Sequence, residues 1–215
     1  MLNVIEEIKT RKIIAILRNI PEDKVMLTAQ ALYDGGVRLI ELTFNQSDPE
    51  AIKRSAKSIV ELAERFQGSF LIGAGTVMDV GQMEIALEAG ASYIVSPHAD
   101  AELIRETVSR GSVSIPGALT PSEIVMAHKA GAHFIKVFPA GDLGVGYMKS
   151  IRAPINHIPL LAVGGIDEFN MSEFLKTGVA GVGVGSSMVD MKMIADGKFD
   201  ELTEKVKRYV RQIGV

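Results

Sequence analysis

Two rhythms of apolar and polar positions alternate along the chain. Runs of three to five apolar, mostly β-branched residues follow longer stretches in which apolar positions recur every three or four residues. The first pattern is that of a strand buried on both faces, the second that of a helix with one buried stripe. Five times the helical rhythm ends on a glycine that leads into an apolar run. These are Asp34-Gly35-Gly36-Val37, Ala89-Gly90-Ala91, Arg110-Gly111-Ser112, Ala130-Gly131-Ala132 and Thr177-Gly178-Val179. Glycine is expected just past a helix, because it takes the left-handed conformation without steric cost.

The apolar runs predict eight strands, over 13–17, 39–43, 70–73, 93–95, 113–115, 134–138, 160–163 and 181–184. Their starts lie 20 to 31 residues apart and average 24, the length of one strand–helix unit. Helix starts fit between them. Thr120-Pro121-Ser122-Glu123 is a capping box with proline at the first helical position. Ser47-Asp48-Pro49-Glu50 and Pro21-Glu22-Asp23 place proline and acids where a helix begins, and Asp79 and Asp167 are N-cap candidates. Eight such units predict an α/β fold, a (β/α)₈ TIM barrel with an extra N-terminal helix over 2–10. A doubly wound open sheet is the competing architecture. No Pro/Ser-rich linker interrupts the chain, so one domain over 1–215 is expected.

Composition narrows the chemistry. The 23 basic and 26 acidic residues nearly balance, which leaves no electrostatic footprint for nucleic acid or an anionic membrane. The start lacks a basic segment followed by an apolar one, and no run reaches the 18 or so uncharged apolar residues of a membrane span. A cytoplasmic protein is expected. Cysteine is absent, so disulfides, thiolate metal sites and a cysteine nucleophile are excluded. The four histidines, His98, His128, His133 and His157, lack close ligand spacing, so no metal site is predicted. Gly183-x-Gly185-x-x-Met188 is not a dinucleotide fingerprint, and no cofactor is expected.

In a barrel the active site lies at the C-terminal ends of the strands. Those ends carry Arg18, then Glu41, Thr43 and Asn45, Gly75-Thr76, Ser96-Pro97-His98, Pro116-Gly117, Lys136 with Phe138, Gly164-Gly165 and Gly185-Ser186. Residues two apart on a strand share a face. Ile40 and Leu42 therefore point to the helices and Glu41 into the barrel, while Ile135 and Val137 send Lys136 inward. These are the only charged residues in the eight predicted strands, and burying them unpaired is costly. Two explanations stand: a nucleophilic lysine with a carboxylate that moves its protons, or a structural ion pair. Phe134 and Phe138 would supply the apolar setting such an amine needs. Gly164-Gly165 and Gly185-Ser186 close the last two strands, where barrels commonly hold phosphate on backbone N–H groups; the alternative is tight-turn glycine.

Several stretches together resemble the KDPG/KHG aldolases, the 2-keto-3-deoxy-6-phosphogluconate and 4-hydroxy-2-oxoglutarate aldolase family. They are Gly36-Val37-Arg38-Leu39-Ile40-Glu41-Leu42-Thr43, Gly73-Ala74-Gly75-Thr76-Val77, Val95-Ser96-Pro97, Ile115-Pro116-Gly117, Ile135-Lys136-Val137-Phe138-Pro139-Ala140 and Val163-Gly164-Gly165-Ile166. The resemblance implies a metal-free class I aldolase on a barrel, usually a homotrimer. It implies that Lys136 forms a Schiff base with pyruvate and that Glu41 is the acid/base. Thr76, Pro97 and Phe138 would line the pyruvate site, and Gly164, Gly165 and Ser186 would hold the substrate phosphate. Many members carry an arginine where this chain has Asn45. Asparagine there is similar to the galactonate-derived branch, in which an arginine after the first strand, here Arg18, can supply the missing charge.

The expected reaction is cleavage of 2-keto-3-deoxy-6-phosphogluconate to pyruvate and glyceraldehyde 3-phosphate. The galactonate-derived epimer and unphosphorylated 4-hydroxy-2-oxoglutarate are alternative substrates for the same site. A phosphosugar isomerase or epimerase, and a non-catalytic phosphate-binding barrel, are the more distant readings.

Overall fold

The computed structural model describes residues 2–213. Nine parallel segments form one sheet in the order β5-β4-β3-β2-β1-β9-β8-β7-β6. They are β1 (Ile13–Leu17), β2 (Leu39–Thr43), β3 (Leu71–Gly75), β4 (Tyr93–Val95), β5 (Val113–Ile115), β6 (Gly117–Ala118), β7 (Ile135–Val137), β8 (Leu160–Val163) and β9 (Gly181–Val184). The two outermost segments, β5 and β6, adjoin in the chain and are separated only by Pro116. The sheet is thus a nearly closed barrel of eight strands, the fifth of which is interrupted. Proline has no N–H to give to a ladder. Upstream of it β5 pairs with β4; downstream β6 pairs with β7, and the Lys136 N–H donates to the Pro116 carbonyl at 2.9 Å.

Two strands differ from the predicted ones at both ends. The third strand runs two residues further, to Gly75, because its glycines pair in register with Glu41 and Thr43 of β2. The predicted strand over 134–138 shortens to Ile135–Val137. The helices are α1 (Leu2–Arg11), α2 (Glu22–Asp34), α3 (Pro49–Phe66), α4 (Val80–Glu88), α5 (Ala101–Ser109), α6 (Pro121–Lys129), α7 (Ala140–Arg152), α8 (Met171–Lys176), α9 (Met191–Ala195) and α10 (Phe199–Arg211). The eighth unit therefore ends in two helices. Among the described residues no helix is long and apolar enough to cross a membrane.

The predicted start and stop signals act as read. Asp48 and Asp79 cap α3 and α4, and the Thr120–Glu123 capping box opens α6. Asp167 instead caps the short turn ahead of α8, accepting from the Phe169 and Asn170 N–H groups at 2.8 and 2.9 Å. The helix-ending glycines 36, 90, 111, 131 and 178 all have positive φ, between 74° and 108°.

Strand alternation divides the core in two. Ile40, Leu42, Ile135, Val137, Ala162 and Val182 pack outward against the helices. Leu39, Leu71, Tyr93, Val113, Phe134, Leu161 and Val163 fill the barrel interior. Helix α1 closes its N-terminal mouth by adding Val4 and Ile8 to that inner cluster. Ile8 is 1% exposed, a burial that stabilises by about 1.5–3 kcal/mol. With one end plugged, only the C-terminal end of the barrel is open to a ligand.

Candidate active site

A cavity of about 630 Å³ opens at that end. Ile16, Val163 and Gly183 belong to its wall, along with Arg18, Lys136, Phe138, Gly164, Gly165, Gly185 and Ser186. Seven of the residues singled out in the sequence thus meet in one place. They come from β1, β7, β8 and β9, which are adjacent around the barrel.

Lys136 occupies the central position of β7 and is 4% exposed. Its outward neighbours Ile135 and Val137 are fully buried against the helices, which fixes the lysine inward. Its Nζ stands 5.3 Å from the centroid of the Phe138 ring, near enough for a cation–π attraction. Phe138 in turn packs over Gly164, where a Cβ would meet its ring.

Glu41 is 2% exposed, and its Oε1 is buried with no hydrogen-bond partner. Its side chain lies over Gly75, where any Cβ would strike the carboxyl group. Beneath it is Tyr93, a residue the sequence reading treated only as strand core. The Tyr93 hydroxyl donates to the Ile40 carbonyl at 2.6 Å, and Gly73 leaves space for its ring. Burial, and then the Glu41 carboxylate, push the Tyr93 phenol well above the ordinary tyrosine range. Its proton is therefore held, and it acts as a fixed donor rather than a base.

No ion pair joins Lys136 and Glu41 among the described residues; the least exposed pair is Lys205–Asp190, at 2.9 Å. An unpaired buried carboxylate oxygen is expensive and concentrates at functional sites. The arrangement differs from the structural ion pair that was the competing explanation. An amine and a carboxylate, each inside the barrel and neither neutralised by the other, are equipped to exchange protons with a third group.

At the other side of the cavity the backbone dominates. Gly164 and Gly165 have φ of 88° and 70°, and Gly165 abuts Gly141 so closely that a Cβ on Gly141 would lie 2.7 Å from its Cα. The Gly141 N–H donates to the Gly164 carbonyl at 2.7 Å and locks the two loops together. After β9 a single turn forms as the N–H groups of Met188 and Val189 donate to the Gly185 carbonyl at 3.0 and 2.9 Å. Ser186 and Ser187 begin that turn and line the cavity, and their N–H groups have no protein acceptor among the described residues. Among the described residues, Arg18 and Lys136 are the only cations in the cavity wall. Free N–H groups beside a cation suit an anion.

Glu41 is outside that cavity's wall, and the remaining sequence candidates lie elsewhere too. Asn45 lines a separate cavity of about 200 Å³ between α2 and α3, and its side-chain Oδ1 accepts from the Ser47 N–H and hydroxyl at 3.1 and 2.8 Å. Thr76 follows Gly75 in a left-handed conformation with φ 57° and does not reach the larger cavity's wall. Pro97 is also outside that wall; its carbonyl packs against Gly117, the ladder partner of Lys136. Wall residues that the sequence reading passed over include Asn19, Asp167, Ser187, Val189 and Met191. Asp167 had a signal, two positions after the glycine pair, but its capping role accounted for it. Among the described residues no three histidine, aspartate or glutamate side chains gather to hold a metal ion.

Comparison with known proteins agrees with this geometry. The profile of the KDPG and KHG aldolases matches residues 4–205. A probable 2-dehydro-3-deoxy-6-phosphogalactonate aldolase of Rhizobium meliloti is 36% identical, over 86% of this chain and 85% of its own. The 2-dehydro-3-deoxy-6-phosphogalactonate aldolase of Escherichia coli is 31% identical, over 92% of this chain and 94% of its own. Among solved structures, KDPG aldolase from Legionella pneumophila, with pyruvate captured as a covalent carbinolamine, superposes with a TM-score of 0.81 at 29% identity, covering 93% of this chain and 94% of its own. The chain belongs to the KDPG and KHG aldolase family.

Proposed function

We propose that this aldolase cleaves a 2-keto-3-deoxy-6-phospho sugar acid through a Schiff base on Lys136. The observation that carries the reading is a lysine buried inside the barrel, without an ion-pair partner among the described residues, in the wall of a cavity of about 630 Å³ at the strands' C-terminal ends. The Lys136 Nζ attacks the substrate C2 carbonyl to give a carbinolamine, and loss of water gives an iminium. Removal of the proton from the C4 hydroxyl then breaks the C3–C4 bond, and its electron pair flows into the iminium to form an enamine. Glyceraldehyde 3-phosphate leaves. The enamine takes a proton at C3, and water releases pyruvate from the amine. Glu41 relays the protons, helped by the unpartnered Oε1. Arg18 and the N–H groups around Gly165 and Ser186 hold the substrate's anionic groups, and Phe138 covers the imine. Thr76 and Pro97 are assigned to the pyruvate end by the resemblance alone.

For the substrate, the galactonate-derived epimer is the better-supported choice over the gluconate-derived one. Asn45 resembles the galactonate branch, and the Rhizobium meliloti and Escherichia coli relatives carry that name; Arg18 does not discriminate, since other branches also have it. Relatives named for the gluconate-derived substrate, at 26–31% identity, keep it as the second reading. Steady-state rates on the two phosphorylated epimers and on 4-hydroxy-2-oxoglutarate decide between them. The chemistry is tested by borohydride reduction with pyruvate, which should add one pyruvate-derived unit and inactivate the enzyme. Full activity after that treatment would overturn the imine and leave the isomerase reading. A cytoplasmic homotrimer accompanies the proposal, and light scattering should return three times the 23.1 kDa chain mass.

A further inference from the structure

Thr76 is a β-branched residue with φ 57°, in a region of backbone space that such side chains rarely enter. Strain of this kind persists only where the surroundings over-determine it. Two glutamines provide the restraint. The Gln46 Nε2 donates to the Thr76 carbonyl at 2.7 Å. Gln46 and Gln82 also exchange hydrogen bonds through their side-chain amides, at 3.0 Å in one direction and 2.8 Å in the other. The Gln82 Oε1 accepts from the Met78 N–H at 2.9 Å, and the Gln82 backbone N–H donates to Asp79 Oδ1 at 2.8 Å. Gln46 lies in the loop after β2 and Gln82 in the first turn of α4, so the pair clamps residues 76–78 from both sides. On the barrel side, the Phe44 N–H donates to the Gly75 carbonyl at 2.8 Å.

From this we infer that Gln46 and Gln82 form an amide clasp whose task is to hold the Gly75-Thr76 corner, and that both are positioning residues for the carboxylate end of the 2-keto acid. The inference rests on the proposed Schiff-base reading. The corner serves two groups at once. Gly75 leaves the space that Glu41 fills, and the Thr76 hydroxyl makes no hydrogen bond to protein among the described residues. Thr76 stands outside the wall of the cavity that Lys136 lines, and it is the proposed assignment of Thr76 to the pyruvate end that gives this hydroxyl a keto-acid carboxylate to bind. Only amides on both sides satisfy the clasp, since each side chain must donate and accept together. A Gln46→Glu change preserves size but turns a carboxylate oxygen toward the Thr76 carbonyl and the Gln82 Oε1.

The test measures the pyruvate concentration that half-saturates borohydride trapping at Lys136. Gln46→Glu and Gln82→Ala should each raise it about ten-fold, the effect of losing one charge-linked contact, with the thermal midpoint unchanged. In a Thr76→Ala background the same changes should add little, because the clasp acts through Thr76. A half-saturation unchanged by Gln46→Glu, or an equal rise in the Thr76→Ala background, would overturn the clasp alone. A wild type that traps no pyruvate would overturn the Lys136 reading and the clasp with it.

Discussion

The two sides of the barrel mouth differ in what stands beside their glycines. On β3, Gly73 and Gly75 make room for the protein's own side chains: the Tyr93 ring fills the space at one and the Glu41 carboxyl the space at the other. Around β8 and β9, Gly164 and Gly165 give their space to the Phe138 ring and to Gly141, while Gly185 leaves its space open beside a cavity of about 630 Å³. One side is packed solid and carries a carboxylate in fixed orientation; the other is open and presents backbone N–H groups. Lys136 stands between them, paired through the ladder to Gly117 on one flank and Leu161 on the other. A packed flank suits a proton relay, whose geometry must not drift, whereas an open flank suits a ligand that must enter and leave.

That contrast can be broken from either side. The largest effect is expected on the packed one. Glu41→Gln should lower turnover by about 10²–10⁴-fold, the range of general acid–base catalysis, while leaving pyruvate trapping at Lys136 largely intact. Gly75→Ala should lower turnover less, because Glu41 is displaced rather than removed; equal loss of trapping and turnover would show that the corner supports the imine instead. On the open side, Gly165→Ala adds a Cβ 3.0 Å from the Gly141 Cα at a φ of 70°. It should raise KM for the phosphorylated substrates about ten-fold, roughly 1.4 kcal/mol, and leave 4-hydroxy-2-oxoglutarate cleavage nearly unchanged.

The smallest effect concerns stability. The Asp190 carboxyl, at the N-cap of α9, is held below its usual range by Lys205 and by the Met193 and Lys192 N–H groups. A carboxyl depressed in the folded state stabilises above its unfolded value, near 4, and that contribution is lost as pH falls through the folded one. Thermal melts between pH 7 and pH 3 should therefore lose less stability on acidification in Asp190→Asn, by about 1 kcal/mol or less.

The barrel is readable in the sequence because each unit announces itself locally, by an apolar run, a cap and a closing glycine. Glu41 and Lys136 are readable for the same reason: period-two alternation turns both inward once their aliphatic neighbours are assigned to the helices. What escapes is set by contacts between distant segments. Tyr93 reads as strand core until β2 places Glu41 above it, and Gly75 reads as a strand-end glycine until the same carboxyl claims its space. Gln46 and Gln82 are 36 positions apart and look like solvated loop and helix residues. The interruption at Pro116 has a visible cause, but the two-residue segment β6 depends on β7 for its partner. Asn45, one of the family positions, lines a different cavity from the one that Arg18 and Lys136 share.

The central claim is that Lys136 is the nucleophile. A crystal structure of the enzyme equilibrated with pyruvate tests it most directly. Continuous density is expected from the Lys136 Nζ to C2 of pyruvate, with the Glu41 carboxylate against the new group. Pyruvate bound without a covalent link beside an unmodified Lys136, or joined to any other lysine, would contradict it.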